Sequence, residues 1–166
     1  MQSIFKKFLL FLPASVIFFA FITKADHPDF SGEWKLNESK SDLGQFAGYA
    51  PRTIKVTQAA DSITIAKTAP GFNGDDMTIA ETLSFDGKQT KTTMFQTSTR
   101  TASAKWSDDG KTLTITYDLM LDFNGQQTEV KGTEAWTLSD DGKTLLSQNN
   151  SSSSFGDIRA KGVYEK

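Results

Sequence analysis

Residues 113–123 read Leu-Thr-Ile-Thr-Tyr-Asp-Leu-Met-Leu-Asp-Phe, and apolar side chains occupy every second position of this stretch. Successive side chains of a β-strand point to opposite faces, so the period of two predicts a strand with one buried face. Eleven residues at about 3.3 Å each extend about 36 Å. A strand of this length is longer than a small flat sheet uses, and a curved sheet accommodates it.

Shorter segments with the same alternation lie on both sides of this stretch. Turn sequences separate them, among which are Asp86-Gly87, Asp109-Gly110, Asn124-Gly125 and Asp141-Gly142. Aspartate and asparagine side chains bond to the nearby backbone and glycine tolerates a positive φ, so these pairs are typical of hairpin connections. We therefore predict an antiparallel meander of about eight to ten strands. Residues 37–50 lack the alternation, and we expect a short helix or a long loop there.

An all-β, up-and-down barrel is the fold class that we predict. Closing the sheet removes its exposed edges and turns one face of every strand inward. A sandwich of two sheets is compatible with the same alternation and is the alternative. The chain has no cysteine, so packing and strand pairing, rather than disulfides, must stabilise either fold.

The first 25 residues have the pattern of a cleaved signal peptide. Lys6 and Lys7 precede an apolar run of 15 residues, Phe8 to Ile22, and a possible signal peptidase site ends at Ala25. At about 1.5 Å per helical residue, this run is too short for the roughly 30 Å core of a bilayer, so we expect cleavage rather than a permanent membrane anchor. The prediction is a single domain, residues 26–166, exported to the periplasm or the cell exterior. An uncleaved anchor is the alternative.

Composition excludes several classes of function. The 166 residues include 18 Lys+Arg, 20 Asp+Glu, one His and no Cys. This excludes cysteine zinc sites, thiolate nucleophiles and paired-histidine metal sites, and we expect neither a cofactor nor a metal. Cleavage of the signal peptide removes three lysines and no acidic residue, which changes the net charge from −2 to −5. An acidic chain does not favour nucleic acid binding. We expect the protein to be a monomer.

Three charged residues, Glu81, Arg100 and Glu134, lie on strand faces that are otherwise apolar. A buried charge without a partner costs several kcal/mol, so each requires an opposite charge, water or a ligand. We expect Arg100 to pair with Glu81 or Glu134. In one interpretation the three residues orient the polar end of a ligand in a cavity. The aromatic residues that we predict to contact its apolar body are Phe85, Trp106, Tyr117 and Trp136. In the other interpretation the charges form a buried ion pair, or lie in solvent after a register shift.

The residues that open the first predicted strand resemble a known family. Residues 29–37 read Asp-Phe-Ser-Gly-Glu-Trp-Lys-Leu-Asn, and Gly32-x-Trp34 is similar to the Gly-x-Trp signature of lipocalins. With the meander that follows and the ending Gly-Val-Tyr-Glu-Lys at 162–166, the chain resembles the lipocalin-like proteins that bacteria export. The resemblance implies that Trp34 packs across the closed end of the barrel and that Arg159, from the last strand, stacks on it. Arg159 belongs to the outward row of that strand, so this stacking requires a bulge.

Three classes of function are open at this point. We favour a carrier that binds a small hydrophobic or amphipathic molecule inside the barrel, which requires an internal cavity. The second class is an envelope interaction module, in which a filled barrel presents its outer face or loops to a protein or glycan. The third is an enzyme that uses Glu81 and Glu134 as acid and base and Arg100 as an anion clamp. The sequence contains no recognised catalytic constellation, so we expect binding rather than catalysis.

Overall fold

A computed structural model describes residues 27–71, 74–94, 97–123 and 125–166, with the backbone alone at residue 123. The predicted signal peptide, residues 1–25, lies outside the described residues. Within them, ten β-strands form: β1 Gly32–Leu36, β2 Thr53–Gln58, β3 Ser62–Pro70, β4 Asp76–Ser84, β5 Thr90–Met94, β6 Ser98–Trp106, β7 Leu113–Phe123, β8 Gln126–Leu138, β9 Thr144–Ser153 and β10 Gly156–Glu165.

The strands form one antiparallel sheet in the order β4-β3-β2-β1-β10-β9-β8-β7-β6-β5. β1 pairs with both β2 and β10, so the first and last strands of the meander are joined. β4 and β5 are the two edges of the sheet, and the described residues form no backbone ladder between them. The predicted up-and-down barrel is thus confirmed, in a nearly closed form. A sandwich would divide this single continuous ladder into two sheets.

Side-chain burial follows the predicted alternation. In β7, Leu113, Ile115 and Tyr117 are buried, whereas Thr116 and Asp118 are exposed. The inward rows of the strands meet in one hydrophobic core. Removal of this apolar surface from water is the main favourable contribution to folding, in the absence of any disulfide.

One end of the barrel, which we call the packed end, is filled by large side chains. Phe30, Trp34 and Trp136 are fully buried there. Trp34 Nε1 donates a hydrogen bond of 2.8 Å to the carbonyl oxygen of Phe30, which satisfies the indole N–H. Gly32 begins β1 with a φ of 133°, a conformation that favours glycine. The Gly-x-Trp motif therefore has a structural role at this end.

The cation that stacks on Trp34 is Lys166, and the prediction that Arg159 does so is wrong. Lys166 Nζ lies 4.7 Å from the centroid of the Trp34 ring. β10 pairs with β9 in unbroken register from Gly156 to Glu165, so no bulge turns Arg159 inward. Its side chain is exposed on the outer face of the sheet.

The segment between β1 and β2 contains two short 3-10 helices, Glu38–Lys40 and Gly44–Tyr49. The Asn37 side chain caps the first by accepting a hydrogen bond from the backbone N–H of Lys40. The second helix contacts β10 and β3, beyond the end of β1 that lies away from the packed end, and we call residues 43–51 the capping segment. Over the residues described, the structure contains no helix with the length and apolar character needed to span a membrane.

Candidate functional site

An internal cavity of about 340 Å³ occupies the half of the barrel away from the packed end. This volume is in the range of small-molecule binding sites. Strands β3 to β10 and the capping segment contribute to its walls. Its aliphatic and thioether lining includes Met77, Ile79, Met94, Leu119, Leu121 and Ile158. These apolar walls are therefore suited to contact with the apolar body of a ligand.

The capping segment forms part of the cavity wall because β1 is short. β1 has five residues and pairs with β10 only through Lys35 and Leu36. Leu43, Phe46 and Tyr49 of the capping segment line the cavity beyond this point. Since Tyr49 is also 58% exposed, its ring lies at the boundary between the cavity and solvent.

Charged and polar side chains separate the cavity from the packed end. On β4, Ile79 lines the cavity, Glu81 follows it, and Leu83 is fully buried. On β8, Glu134 lines the cavity, and Trp136, two residues further along, is fully buried. The side chains that meet at this level, which we call the polar floor, are Lys67, Glu81, Arg100, Tyr117 and Glu134. A ligand in the cavity would thus meet apolar walls above a polar base.

The first ion pair of the polar floor joins β4 and β6. Arg100 Nε donates a hydrogen bond of 3.1 Å to Glu81 Oε2, and both side chains are about nine-tenths buried. The Arg100 guanidinium carbon lies 4.1 Å from the centroid of the Tyr117 ring, in a cation–π contact. The two edge strands of the sheet, β4 and β5, share no ladder. The ion pair crosses this gap, because it joins β4 to β6, the strand next to β5. It is one of the two pairings that the sequence predicts for Arg100.

The second ion pair joins β3 and β8. Lys67 Nζ lies 2.5 Å from Glu134 Oε2. Trp136 Nε1 and the Ser147 hydroxyl both donate to Glu134 Oε1, at 2.7 Å and 3.0 Å. Burial raises the pKa of Glu134, but the charges of Lys67 and Arg100 and the hydrogen bonds from Lys67 and Trp136 outweigh it and bring the pKa to about 2. Glu134 is therefore ionised at neutral pH.

Two tyrosines add neutral hydroxyl groups beside these charges. The Tyr117 hydroxyl donates a hydrogen bond of 2.8 Å to Asn149 Oδ1. Burial is the main cause that raises the pKa of Tyr117, and burial together with the charge of Glu134 raises the pKa of Tyr164. Both phenols are therefore protonated at neutral pH. A Cβ at Gly132 would lie 2.5 Å from the Tyr117 hydroxyl oxygen, so the glycine makes room for this ring.

One donor of the polar floor lacks a partner. Arg100 Nη2 is buried and makes no hydrogen bond with any residue that the structure describes. A buried donor left unsatisfied costs about 1–3 kcal/mol. Arg100 is also one of the residues that line the cavity.

The structure divides the seven residues that the sequence predicts to contact a ligand. Four of them line the cavity: Glu81, Arg100, Tyr117 and Glu134. Phe85, Trp106 and Trp136 do not line it and instead pack at the packed end. The Trp106 ring lies 5.4 Å from Phe85 and 5.7 Å from Phe30, and His27 stacks on it at 4.3 Å. All three face inward, as their parity indicates, but too far along the barrel to reach the cavity.

Lys67 is a member of the polar floor that the sequence analysis does not identify. It shares its strand face with Ile63 and Ile65, both of which are buried. A charged residue in an inward apolar row is the same signal that singles out Glu81, so the alternation of side chains is enough to identify Lys67. It does not identify Glu134 as the partner of Lys67, because β3 and β8 are far apart in the strand order.

The chemistry that this arrangement offers is hydrogen bonding and apolar contact. The described residues include no group of three or more His, Asp or Glu side chains placed to hold a metal ion. Glu134 is already ionised and accepts three hydrogen bonds, so at neutral pH it has no proton to donate.

Comparison with solved structures gives a likeness of fold. No family model matches the chain, and no curated protein sequence matches it. A crystal structure of zebrafish ileal bile acid-binding protein complexed with cholic acid is similar in fold, with a TM-score of 0.49 and 14% sequence identity. The match covers 82% of this chain and 98% of that chain. Membership of the bacterial exported family that Gly32-x-Trp34 suggests stays a prediction.

Proposed function

We propose that this protein binds a small amphipathic molecule inside its barrel, with the polar end of the molecule at the polar floor and its apolar body toward the capping segment. The observation that supports this most is an apolar cavity lined at its base by Arg100, whose Nη2 is a buried donor without a partner. A ligand acceptor removes the cost of the unmade hydrogen bond, and a ligand body removes apolar wall from water.

The same geometry weighs against the two other classes of function. An interaction module with a filled barrel would not contain a cavity, and this barrel contains one of about 340 Å³. An enzyme that uses Glu81 and Glu134 as acid and base requires at least one of them to exchange a proton near neutral pH. Glu134 has a pKa of about 2 and has no proton to exchange in this range. Both carboxylates form ion pairs with cations of the polar floor.

Export is part of the proposal and rests on residues 1–25, which lie outside the described residues. The proposal is that these residues are removed and that the remaining chain acts in the periplasm or the cell exterior. The intact mass of the protein recovered from its own host tests this step. A mass that begins at Asp26 supports it, and a mass that includes the first 25 residues in a membrane fraction contradicts it.

Binding is tested by native mass spectrometry of protein purified from its host and by titration with N-phenylnaphthylamine, a neutral dye that fluoresces in apolar surroundings. The expected results are a bound small molecule and a saturable rise in fluorescence. Ile158→Trp narrows the cavity from β10 and should weaken the rise in fluorescence. Arg159→Trp is the matched control, because it adds the same ring one residue away on the exposed face. Equal dye binding by both variants would show that the dye binds outside the cavity.

A further inference from the structure

The charged side chains that line the cavity have a net charge of zero. The charged side chains among its described lining residues are two cations, Lys67 and Arg100, and two carboxylates, Glu81 and Glu134. Each cation contacts one carboxylate, at 2.5 Å for Lys67 with Glu134 and at 3.1 Å for Arg100 with Glu81. No charge of either sign is left over for a charged ligand.

On the basis of the proposed function, we infer that the ligand has an uncharged polar head that accepts a hydrogen bond, such as an amide, an ester or an alcohol, and that the site rejects free carboxylates and amines. Arg100 Nη2 is the donor that such a head would meet. A neutral acceptor satisfies this donor without adding a fifth charge beside the four charges of the polar floor.

A carboxylate ligand is disfavoured because of the two carboxylates already present. Its negative charge would lie beside Glu81, which already forms an ion pair with Arg100, and near Glu134. Like charges at short range in a site of low dielectric repel strongly. Glu134 does not reduce this repulsion by taking up a proton, because Lys67 and Arg100 hold its pKa at about 2 despite its burial. The carboxylate would have to enter in its protonated form.

An amine ligand is disfavoured for the complementary reason. An ammonium head needs an acceptor, and both carboxylates of the polar floor are already paired with cations. Glu134 accepts hydrogen bonds from Lys67, Trp136 and Ser147. A second cation in this place would leave one of the positive charges without a partner, which buried sites do not tolerate.

The test uses four compounds with one chain length: dodecanamide, dodecanol, dodecanoate and dodecylamine. Each is tested for displacement of N-phenylnaphthylamine from the full mature protein at about pH 7.5, where the acid and the amine are both charged. We expect dodecanamide and dodecanol to compete, and the two charged compounds to be at least tenfold weaker. Dodecanoate that competes as well as dodecanamide would overturn the inference and leave the proposed function standing. Failure of the dye and of all four compounds to bind would overturn the proposed function itself.

A charge-neutralising substitution checks that the polar floor sets this preference. Glu81→Gln leaves the Arg100 charge without its carboxylate, so the affinity for dodecanoate should rise at least tenfold relative to dodecanamide. Glu129→Gln is the control, because it makes the same change in net charge at an exposed residue that pairs with Lys131. An unchanged ranking in Glu81→Gln that is folded by circular dichroism would contradict the inference. If that variant does not fold, the ranking of the four compounds on the unaltered protein decides alone.

Discussion

Replacing Glu134 with glutamine removes the charge that neutralises Lys67 and keeps the shape of the side chain. The amide oxygen of glutamine can still accept hydrogen bonds from Trp136 and Ser147, which both donate to Glu134 Oε1. The substitution therefore removes the negative charge and, because an amide nitrogen cannot accept, the hydrogen bond from Lys67. A buried lysine without its carboxylate is costly, so we expect the variant to be less stable than the unaltered protein at neutral pH.

The magnitude follows from the difference between the folded and unfolded pKa of Glu134. The pKa falls from its ordinary value of 4.5 to about 2 in the folded protein. A decrease of this size corresponds to about 3 kcal/mol of stability at neutral pH. Because the folded pKa is the lower one, this contribution is complete above about pH 5 and is lost as the pH falls through 4.5 toward 2. We expect the stability difference between Glu134→Gln and the unaltered protein to shrink by about 2 kcal/mol between neutral pH and about pH 3.

The assay is urea denaturation followed by tryptophan fluorescence at a series of pH values, with the free energy of unfolding obtained for each protein. Glu129→Gln is the control, because its carboxylate is exposed and contacts Lys131 on the surface. It should stay within about 0.5 kcal/mol of the unaltered protein at every pH. A stability difference for Glu134→Gln that is the same at neutral and acidic pH would refute the electrostatic account of the polar floor.

Two further pairs of substitutions, each with its own control, test a close approach and a cation–π contact. Gly132→Ala should destabilise the barrel by about 1–3 kcal/mol, because its Cβ would lie 2.5 Å from a tyrosine hydroxyl oxygen and 2.9 Å from a carbonyl oxygen. Gly48→Ala, where nothing lies within 4 Å of the added Cβ, should leave the urea midpoint unchanged, and an equal loss in both would refute the steric reason. Lys166→Ala should cost about 0.5–1 kcal/mol through its contact with the Trp34 ring. Arg159→Ala should cost nothing measurable in the same denaturation assay, and the reverse order would contradict the structure.

Parity along the strands predicts which side chains face inward, because successive residues of a strand point to opposite faces. Leu113, Ile115 and Tyr117 are buried in the predicted row of β7. Glu81 and Glu134, which interrupt apolar rows in the sequence, are also buried. The same rule applied to Arg159 indicates an outward side chain, which the structure has and the family resemblance does not imply.

The alternation of side chains does not specify how far along the barrel axis an inward side chain lies. Trp106 and Trp136 face inward but lie near the ends of β6 and β8, where those strands reach the packed end. The ion pair between Lys67 and Glu134 depends in addition on the shape of the closed sheet, because their strands are separated by four others. Local sequence specifies the strands and turns, whereas the site depends on stagger and curvature summed over the whole barrel.

A crystal structure of the mature protein with dodecanamide that carries a bromine on its terminal carbon would locate both ends of the ligand. We expect the amide oxygen within hydrogen-bonding distance of Arg100 Nη2 and the anomalous signal of bromine near Met77 and Leu121, toward the capping segment. Bromine on the outer face of the barrel, or an amide head at the capping segment with the chain on the polar floor, would show that the proposed binding mode is wrong.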